Sequence, residues 1–331
     1  MEQKIDDRPV MVSIQCTVYN HEPYLRQCLD GFVMQKTNFR FEAIVHDDAS
    51  TDGSVAIIRE YAEKYPNIIK PIYETENQYS KNDGSLQRIL DEACSGKYIA
   101  ICEGDDYWIE PMKLQKQVDY METHTNVVLL HTAFKFYDDD NKSFFELAKE
   151  NILILENVKE RRTVMTGILD GNKYRVQTVT SLYRKEAYNS IQPLLREQQG
   201  KFLMGDSQLW VFLLTQGDIF FSSDVTSVYR VHIGSACHKE RIVDNLRFKL
   251  SCAEMRVYMA DKVGLPNAVK QKFEKEYNTS LLKYCSFDTT YKPFIDIKSQ
   301  ELIERLKCIL LDSNFFLFLI RHYLIITYKH G

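Results

Sequence analysis

The chain has 331 residues, of which 44% are hydrophobic, enough for one large globular domain or for a core domain with a smaller appendage. This composition excludes a disordered chain. A net charge of -4 gives the protein as a whole no electrostatic attraction to nucleic acid or anionic lipid, so its partners must be sought at local sites.

The termini and the cysteines favour a cytoplasmic location. Eight cysteines are scattered without a CxxC pair or the spacing of zinc ligands, and they are predicted to be buried thiols in a reducing compartment. The tail of residues 1–9 has no apolar run, so no secretory signal or transit peptide is expected. The apolar tract 315–328 is interrupted by Arg321 and His322 and is too short to span a bilayer as a clean helix.

The first hundred residues alternate predicted strands and helices. Strands are predicted at 10–18, 41–45, 68–73 and 98–102, and helices at about 22–35, 54–65 and 85–93. This alternation favours an α/β fold with a mostly parallel sheet flanked by helices. Ligands of such sheets bind at the carboxyl ends of the strands, where three polar turns fall at 17–20, 47–52 and 103–106.

The rest of the chain is predicted to complete this domain and then to become helical. Helices are predicted at 112–123 and 206–215, extended segments at 127–136, 176–183 and 220–231, and a charged loop at 138–162. Amphipathic helices follow at about 241–263, 267–284 and 297–328. We therefore predict a tail (1–9), a catalytic domain (10–235, with halves 10–110 and 111–235) and a C-terminal helical region (236–331).

The acidic segment Glu103-Gly104-Asp105-Asp106 follows a hydrophobic strand. Carboxylates there lose hydration and repel one another unless a cation or hydrogen-bond donors compensate. A divalent cation suits their oxygen ligands and keeps positions for substrate phosphates, and Gly104 lets the backbone approach a ligand closely. The segment alone predicts an acidic surface turn equally well.

The turn after the second strand carries more carboxylates than helix capping needs. Ser50 or Asp52 can cap the next helix. Asp47 and Asp48 remain, at a strand end where a carboxylate can accept a hydrogen bond from a base N–H or a ribose hydroxyl.

Three segments, in this order and spacing, resemble the signature of glycosyltransferase family 2: VSIQCTVYN at 12–20, DDASTDGS at 47–54 and EGDD at 103–106. The resemblance covers about residues 10–235. It implies the Rossmann-like GT-A fold, a divalent cation (Mn²⁺ or Mg²⁺) and inverting transfer of a sugar from a nucleotide-sugar donor, most often a UDP-sugar. The implied acceptor is a saccharide or lipid-linked saccharide, as in cell-surface polysaccharide synthesis.

The resemblance also implies roles for individual residues. The nucleotide-binding residues would be Thr17, Tyr19, Asn20, Asp47, Asp48, Glu103 and Gly104. Asp105 would be the direct metal ligand, and His232 of the segment YRVH could reach the metal or the diphosphate. Glu103 stands where the family has Asp. Ala49 stands where the family usually has Gly, which predicts a turn without positive φ.

Asp206, in the segment GDSQLW, matches the general base of the family, which deprotonates the acceptor hydroxyl; the alternative is a helix cap. Acceptor contacts are predicted for Asp106, Trp108 and Trp210, although core packing explains both tryptophans equally well. Three basic residues could meet phosphate charge, but a solvated surface is expected for each: Lys81, Arg88 and Lys113.

Two other functions would use a similar sheet. One is a nonenzymatic nucleotide-binding scaffold. The other is a nucleotidyltransferase, which would need a Gly-rich basic loop after the first strand, and residues 17–23 are not one. The C-terminal helices could pack on the catalytic domain, form a dimer or make a peripheral membrane contact. The sequence does not decide the oligomeric state.

Overall fold

The computed structural model describes residues 7–146, 160–171, 174–232 and 241–288. The chain divides into two compact units, one of Met1–Gly200 with Asp206–Val231 and one of Lys201–Gly205 with His232–Gly331.

The first unit is an α/β domain. Its strands are β1 (Val10–Val18), β2 (Arg40–Asp47), β3 (Ile69–Tyr73), β4 (Tyr98–Ile101), β5 (Tyr107–Trp108), β6 (Val127–Asp138), β7 (Ser143–Glu146), β8 (Leu182–Arg184) and β9 (Asp218–Val231). Its helices are α1 (Glu22–Val33), α2 (Ser54–Lys64), α3 (Gln78–Lys81), α4 (Ser85–Ala93), α5 (Lys113–Thr123), α6 (Arg161–Asp170), α7 (Lys185–Glu197) and α8 (Asp206–Gln216).

The strands of the described residues form one sheet in the order β3-β2-β1-β4-β8-β6-β9-β5, with β7 paired to β6. The half built from the alternating N-terminal segments is parallel throughout. The other half is mixed, because β8 runs antiparallel between β4 and β6 while β6 and β9 are parallel. The sheet therefore joins a parallel half, as predicted, to a mixed half.

The core lies where helices cover the parallel strands. In β1, Val12, Ile14 and Cys16 are fully buried, and Ser13 on the opposite face is buried too. Burial on both faces is expected for parallel strands with helices on either side. Helix α1 adds an apolar face at helical spacing, formed by Leu25, Cys28, Leu29 and Phe32.

The prediction of an extended segment at 176–183 is wrong for the middle of that segment. Residues Thr178–Thr180 form a 3₁₀ turn, and only Leu182–Arg184 form a strand. Thr180 Oγ1 donates to Gln177 O and Ser181 Oγ donates to Thr178 O, both at 2.7 Å. Such local bonds from hydroxyl side chains compete with strand pairing.

Other elements also escaped the sequence patterns. Helices α6 and α7 were not predicted, and part of the predicted loop 138–162 is strand β7, which pairs with β6. Residues 147–159 of that loop lie outside the described residues.

The second unit contains helices α9 (Ile242–Lys262) and α10 (Asn267–Cys285), within one residue of the predicted bounds at each end. The two helices pack together, and Leu250, Phe273 and Tyr277 are among their buried residues. The predicted helix 297–328, with the apolar tract, lies outside the described residues. Among the helices that the structure describes, none combines the length and apolar character needed to cross a membrane.

The described cysteines are buried thiols, as predicted: Cys16, Cys28, Cys94, Cys102, Cys252 and Cys285. Cys28 Sγ lies 4.0 Å from the sulfurs of Cys16 and Cys102, and burial raises the pKa of Cys28 well above its ordinary value. Buried thiols of this kind are unreactive. Cys237 and Cys308 lie outside the described residues.

Candidate active site

The carboxyl ends of β1, β2 and β4 lie side by side and bring the three predicted polar turns together. Strand β1 is the middle strand of the three. The Gly104 amide donates to Thr17 O at 3.0 Å, and the Asp48 amide donates to Val18 O at 2.8 Å. The predicted nucleotide-binding and metal-binding segments therefore share one edge of the sheet.

The first two turns are fastened to each other by side chains. Asn20, which has a positive φ of 56°, accepts a hydrogen bond at its Oδ1 from Thr51 N at 2.8 Å. Glu22 Oε2 accepts from Gly53 N at 2.8 Å, and Asp52 Oδ2 accepts from Glu22 N at 3.0 Å. The Asn20 amide thus fixes the shape of this edge, and its nucleotide contact stays a prediction.

Asp47 and Asp48, equivalent in the sequence, differ in the structure. Asp48 Oδ1 and Oδ2 accept from the backbone amides of Gln78 and Tyr79, at 2.6 and 3.0 Å. Asp47 is 1% exposed and accepts only at Oδ2, from Ser50 N at 3.1 Å, while its Oδ1 is buried without a hydrogen-bond partner. Because an unpaired buried acceptor is costly, Asp47 is the residue with acceptor capacity for a ligand.

Ala49, which was predicted to lack a positive φ, has a φ of 64°. That prediction is wrong. Hydrogen bonds to Asp47 and Asp48 fix the chain on both sides of the turn, so the backbone between them takes the left-handed conformation. For a residue with a side chain this conformation costs about 1–2 kcal/mol.

The acidic segment concentrates negative charge. Glu103 is half-buried, and its Oε2 accepts from Thr178 Oγ1 at 2.8 Å. Burial raises the pKa of Glu103 to about 7; the carboxylates of Asp105 and Asp206 contribute to the rise, and the bond from Thr178 opposes it. The segment is therefore a place where a cation would relieve repulsion between carboxylates.

Asp206 is the exposed first residue of α8. Its negative charge makes a small contribution to the raised pKa of Glu103, although about a hundred residues separate the two in sequence. The amino end of a helix favours a negative charge. The role of Asp206 as the base stays a prediction.

Asp106, the last residue of the acidic segment, is 2% exposed. Its Oδ1 accepts from the backbone amide of Arg230 at 2.8 Å. Burial raises the pKa of Asp106 well above its ordinary value, and Asp105 and Glu103 add to the effect. This placement points the carboxylate at β9 and not at open solvent, where an acceptor would arrive.

Both tryptophans predicted to contact the acceptor are in the core, at 2% exposure for Trp108 and 1% for Trp210. Trp108 Nε1 donates to Val179 O at 2.9 Å, and its ring meets Phe32 edge to face at 5.1 Å. This is the core packing that the sequence left open, and it presents neither ring face to a sugar.

Lys113, predicted on a solvated surface, is fully buried, so that prediction is wrong. Its Nζ donates to Gln117 Oε1 at 2.8 Å and Thr180 O at 3.2 Å, and it lies 4.7 Å from the centre of the Trp108 ring. Burial lowers the pKa of Lys113 to about 7. These partners come from α5 and from the 3₁₀ turn, which the sequence did not predict; Lys81 and Arg88 are exposed, as predicted.

The remaining predicted residues have mixed surroundings. Tyr19 is 48% exposed at the rim of the edge, and Thr17 is half-buried. At Gly104, a Cβ would come within 2.7 Å of His21 Nδ1, so a side chain there would collide with the first turn. His232 belongs to the second unit, and its metal contact stays a prediction.

The donors of the acidic segment fit a divalent cation. Within the described ranges, no group of three His, Cys, Asp or Glu side chains is spaced to hold a metal ion. Mg²⁺ and similar cations, however, commonly take one or two carboxylates from the protein and complete their shell with phosphate oxygens and water. Asp105 and Glu103 offer hard oxygen donors of this type.

Two solved structures share the fold. The chain aligns with Staphylococcus aureus TarS 1-349 in complex with UDP-GlcNAc at a TM-score of 0.57 and 14% identity, covering 88% of this chain and 78% of that one. It aligns with the mannosyltransferase PcManGT of Pyrobaculum calidifontis, in complex with GDP-Man and Mn²⁺, at a TM-score of 0.51 and 15% identity, covering 98% and 89%. The GT-A fold is therefore confirmed.

Sequence comparison agrees with the fold. An uncharacterized protein of Mycobacterium tuberculosis is 34% identical over 228 residues, which span 69% of this chain and 60% of that relative. The putative glycosyltransferase EpsE of Bacillus subtilis is 25% identical over 279 residues, spanning 80% of this chain and 93% of that protein. The model of glycosyl transferase family 2 matches residues 13–192, more than half of the chain. The chain therefore belongs to glycosyltransferase family 2.

Proposed function

We propose that this glycosyltransferase is an inverting, metal-dependent enzyme that transfers a hexosyl or N-acetylhexosaminyl group from a UDP-sugar to a hydroxyl of a glycan or lipid-linked saccharide. One observation carries the proposal: Asp47, whose Oδ1 has no hydrogen-bond partner, and the acidic segment lie at the same carboxyl edge of β1, β2 and β4. Single displacement also needs a base for the acceptor hydroxyl, and we assign this role to the exposed carboxylate of Asp206 at the start of α8.

The donor base would be recognised at Asp47. The unpartnered Oδ1 of Asp47 can accept the ring N–H of uracil. Tyr19 and Thr17 lie on the neighbouring turn, with Asn20 fixing that turn. Asp48 would not contact the nucleotide itself, because its carboxylate accepts hydrogen bonds from the backbone amides of Gln78 and Tyr79. The nucleotide sugars in the TarS and PcManGT complexes support a donor of this class.

Asp105 would hold the divalent cation, and Glu103 would face the ribose. When bound, the cation supplies neutralisation of the charge that develops on the departing diphosphate. Thr178 Oγ1 donates to Glu103 Oε2 at 2.8 Å, and this hydrogen bond orients the Glu103 carboxylate before a ligand binds.

Asp206 would accept the proton of the acceptor hydroxyl. As the hydroxyl oxygen forms its bond to the anomeric carbon, the bond from that carbon to the diphosphate oxygen breaks on the opposite face. The proton goes to Asp206 and the bonding electrons leave with the nucleoside diphosphate, so the anomeric configuration inverts. General base catalysis of this kind contributes about 10²- to 10⁴-fold to the rate.

A direct assay tests the proposal. The protein is incubated with UDP- and GDP-sugars and Mn²⁺, with and without saccharide acceptors, and the released nucleotide is identified. Released UDP and an inverted product anomer by NMR are expected. Released pyrophosphate would indicate a nucleotidyltransferase instead, and tight nucleotide binding without turnover on any acceptor would indicate a nonenzymatic scaffold.

We also propose that the enzyme works at the cytoplasmic face of a membrane, where lipid-linked acceptors are found, through the apolar tract 315–328. Deleting residues 314–331 should abolish sedimentation with liposomes containing anionic lipid. Unchanged liposome binding by a folded deletion variant would refute this location.

A further inference from the structure

Arg230, one residue before the end of β9, joins three segments around the acidic loop (residues 103–106). Its side chain is 6% exposed. Nε donates to the backbone carbonyl of Asp105 at 2.8 Å, Nη2 donates to Gln27 Oε1 of α1 at 2.7 Å, and Nη1 lies 3.3 Å from Asp139 Oδ1 in the turn after β6. Its backbone amide donates to Asp106 Oδ1 at 2.8 Å. One residue thus grips two consecutive residues of the loop.

Three tyrosine rings surround the guanidinium. Its central carbon lies 4.8 Å from the ring centre of Tyr24, 5.2 Å from Tyr107 and 5.4 Å from Tyr137. Aromatic faces attract a cation at these distances, and the attraction strengthens where water is excluded. The rings and the planar fork of donors together fix the direction of Nε. A lysine would retain the charge but could not make the same set of bonds.

We propose that Arg230 is a positioning residue: by holding the Asp105 carbonyl and the Asp106 carboxylate, it sets the direction in which the Asp105 carboxylate meets the cation and the donor diphosphate. This inference rests on the proposed function, because it takes Asp105 as the metal ligand. Residues behind a metal ligand typically change metal affinity by 10- to 100-fold when they are replaced.

Arg184 provides a matched control within the same sheet. Its Nε donates to Val127 O at 2.7 Å, Nη1 donates to the hydroxyl of Tyr98 at 3.0 Å, and Nη2 donates to His124 O at 3.2 Å. The guanidinium also lies 5.3 Å from the Tyr98 ring centre. These partners lie at the amino end of β4, whereas the acidic loop follows its carboxyl end. Both arginines combine carbonyl bonds with an aromatic neighbour, but only Arg230 grips the acidic loop.

The test compares Arg230→Lys and Arg184→Lys in the full chain. Calorimetric titration with UDP is repeated over a range of MnCl₂ concentrations, and Tm is recorded for each variant. Arg230→Lys should raise the Mn²⁺ concentration for half-maximal UDP affinity by about 10- to 100-fold. Arg184→Lys should lower Tm and leave this concentration unchanged. An equal Mn²⁺ dependence in wild type and Arg230→Lys, or an equal shift in both variants, would overturn the proposal.

If Arg230→Lys does not fold, Asp139→Leu and Gln27→Leu each remove one acceptor of the Arg230 guanidinium without replacing a residue of the acidic loop. Both should shift the Mn²⁺ dependence in the same direction by a smaller factor, and unshifted curves would refute the role of Arg230. The wild-type titration separates the two claims. If wild-type UDP affinity does not depend on Mn²⁺, both the metal-dependent function and this inference are overturned. If wild-type affinity depends on Mn²⁺ but the variants show no shift, only the role of Arg230 is overturned.

Discussion

The two ends of β4 are each held by a buried or half-buried arginine, but their surroundings differ in charge. At the amino end, Arg184 meets backbone carbonyls and the Tyr98 hydroxyl, which in turn donates to Glu122. At the carboxyl end, Arg230 meets the acidic loop, where burial and neighbouring carboxylates raise the pKa of Glu103 and Asp106. Only the carboxyl end gathers like charges.

This difference in charge indicates that the amino end of β4 contributes to stability and the carboxyl end to function. Like charges and buried carboxylates lower the stability of a fold, so a sequence retains them where they do something else. Carbonyl oxygens around an arginine stabilise the fold without such repulsion. Substitutions at the amino end should therefore act on unfolding, and substitutions at the carboxyl end should act on ligands and turnover.

The largest effect is expected at Asp206. Asp206→Asn keeps the shape and the helix start but removes the basic carboxylate, so kcat should fall by about 10²- to 10⁴-fold. Donor affinity, measured by calorimetry with UDP and Mn²⁺, and Tm should stay close to wild type. Turnover near the wild-type rate would remove Asp206 from the role of base.

The next effect distinguishes two adjacent carboxylates. Asp47→Asn replaces an unpartnered acceptor and should weaken UDP binding by about 10- to 100-fold, the equivalent of about 1.5–3 kcal/mol for a hydrogen bond to a charged group. Asp48→Asn disturbs two bonds from backbone amides and should lower the free energy of unfolding by about 2 kcal/mol. Calorimetry and urea unfolding on both variants measure the two effects. Loss of stability in Asp47→Asn together with loss of UDP affinity in Asp48→Asn would contradict the difference seen between the two side chains.

The third prediction concerns Lys113, which supports the carboxyl end of β4 from the core. Its Nζ donates to the carbonyl of Thr180, in the 3₁₀ turn that also contains Thr178. Its pKa is lowered to about 7 in the fold from an ordinary 10.5, so between these values the unfolded chain binds the extra proton. The free energy of unfolding should then rise with pH, by at most about 1.4 kcal/mol per pH unit. Lys113→Met should lose this slope in urea unfolding from pH 7.5 to 9, and equal slopes would show that Lys113 stays charged.

The smallest effect is expected at the amino end. Tyr98→Phe removes the hydroxyl that joins Glu122 and Arg184 and should lower the free energy of unfolding by about 1 kcal/mol. UDP affinity and its Mn²⁺ dependence should not change. A shift in the Mn²⁺ dependence would show that the two ends of β4 are coupled.

The sequence predicted the parallel half of the sheet well because strands and helices alternate there with clear apolar periods. β1 and the order of the three polar turns follow from local patterns, and the carboxyl ends of parallel strands must meet at one edge. Helix α7 escaped because Pro193, a residue that usually interrupts helices, lies inside it, and α6 escaped because it directly follows a charged stretch with no capping side chain at its start. The 3₁₀ turn escaped because its Thr and Val residues resemble a strand.

Within the site, the sequence by itself determined which carboxylates the chain carries and, by resemblance, their family. It did not determine that Asp47 keeps one oxygen without a hydrogen-bond partner while both oxygens of Asp48 are bonded, that Lys113 is buried, or that Arg230 holds the acidic loop. Those facts depend on partners distant in sequence, such as Gln78, Thr180 and Asp105, which only the folded sheet brings within hydrogen-bonding distance. A pattern along the chain records residue type and period, whereas the state of a buried polar group is set by what surrounds it in space.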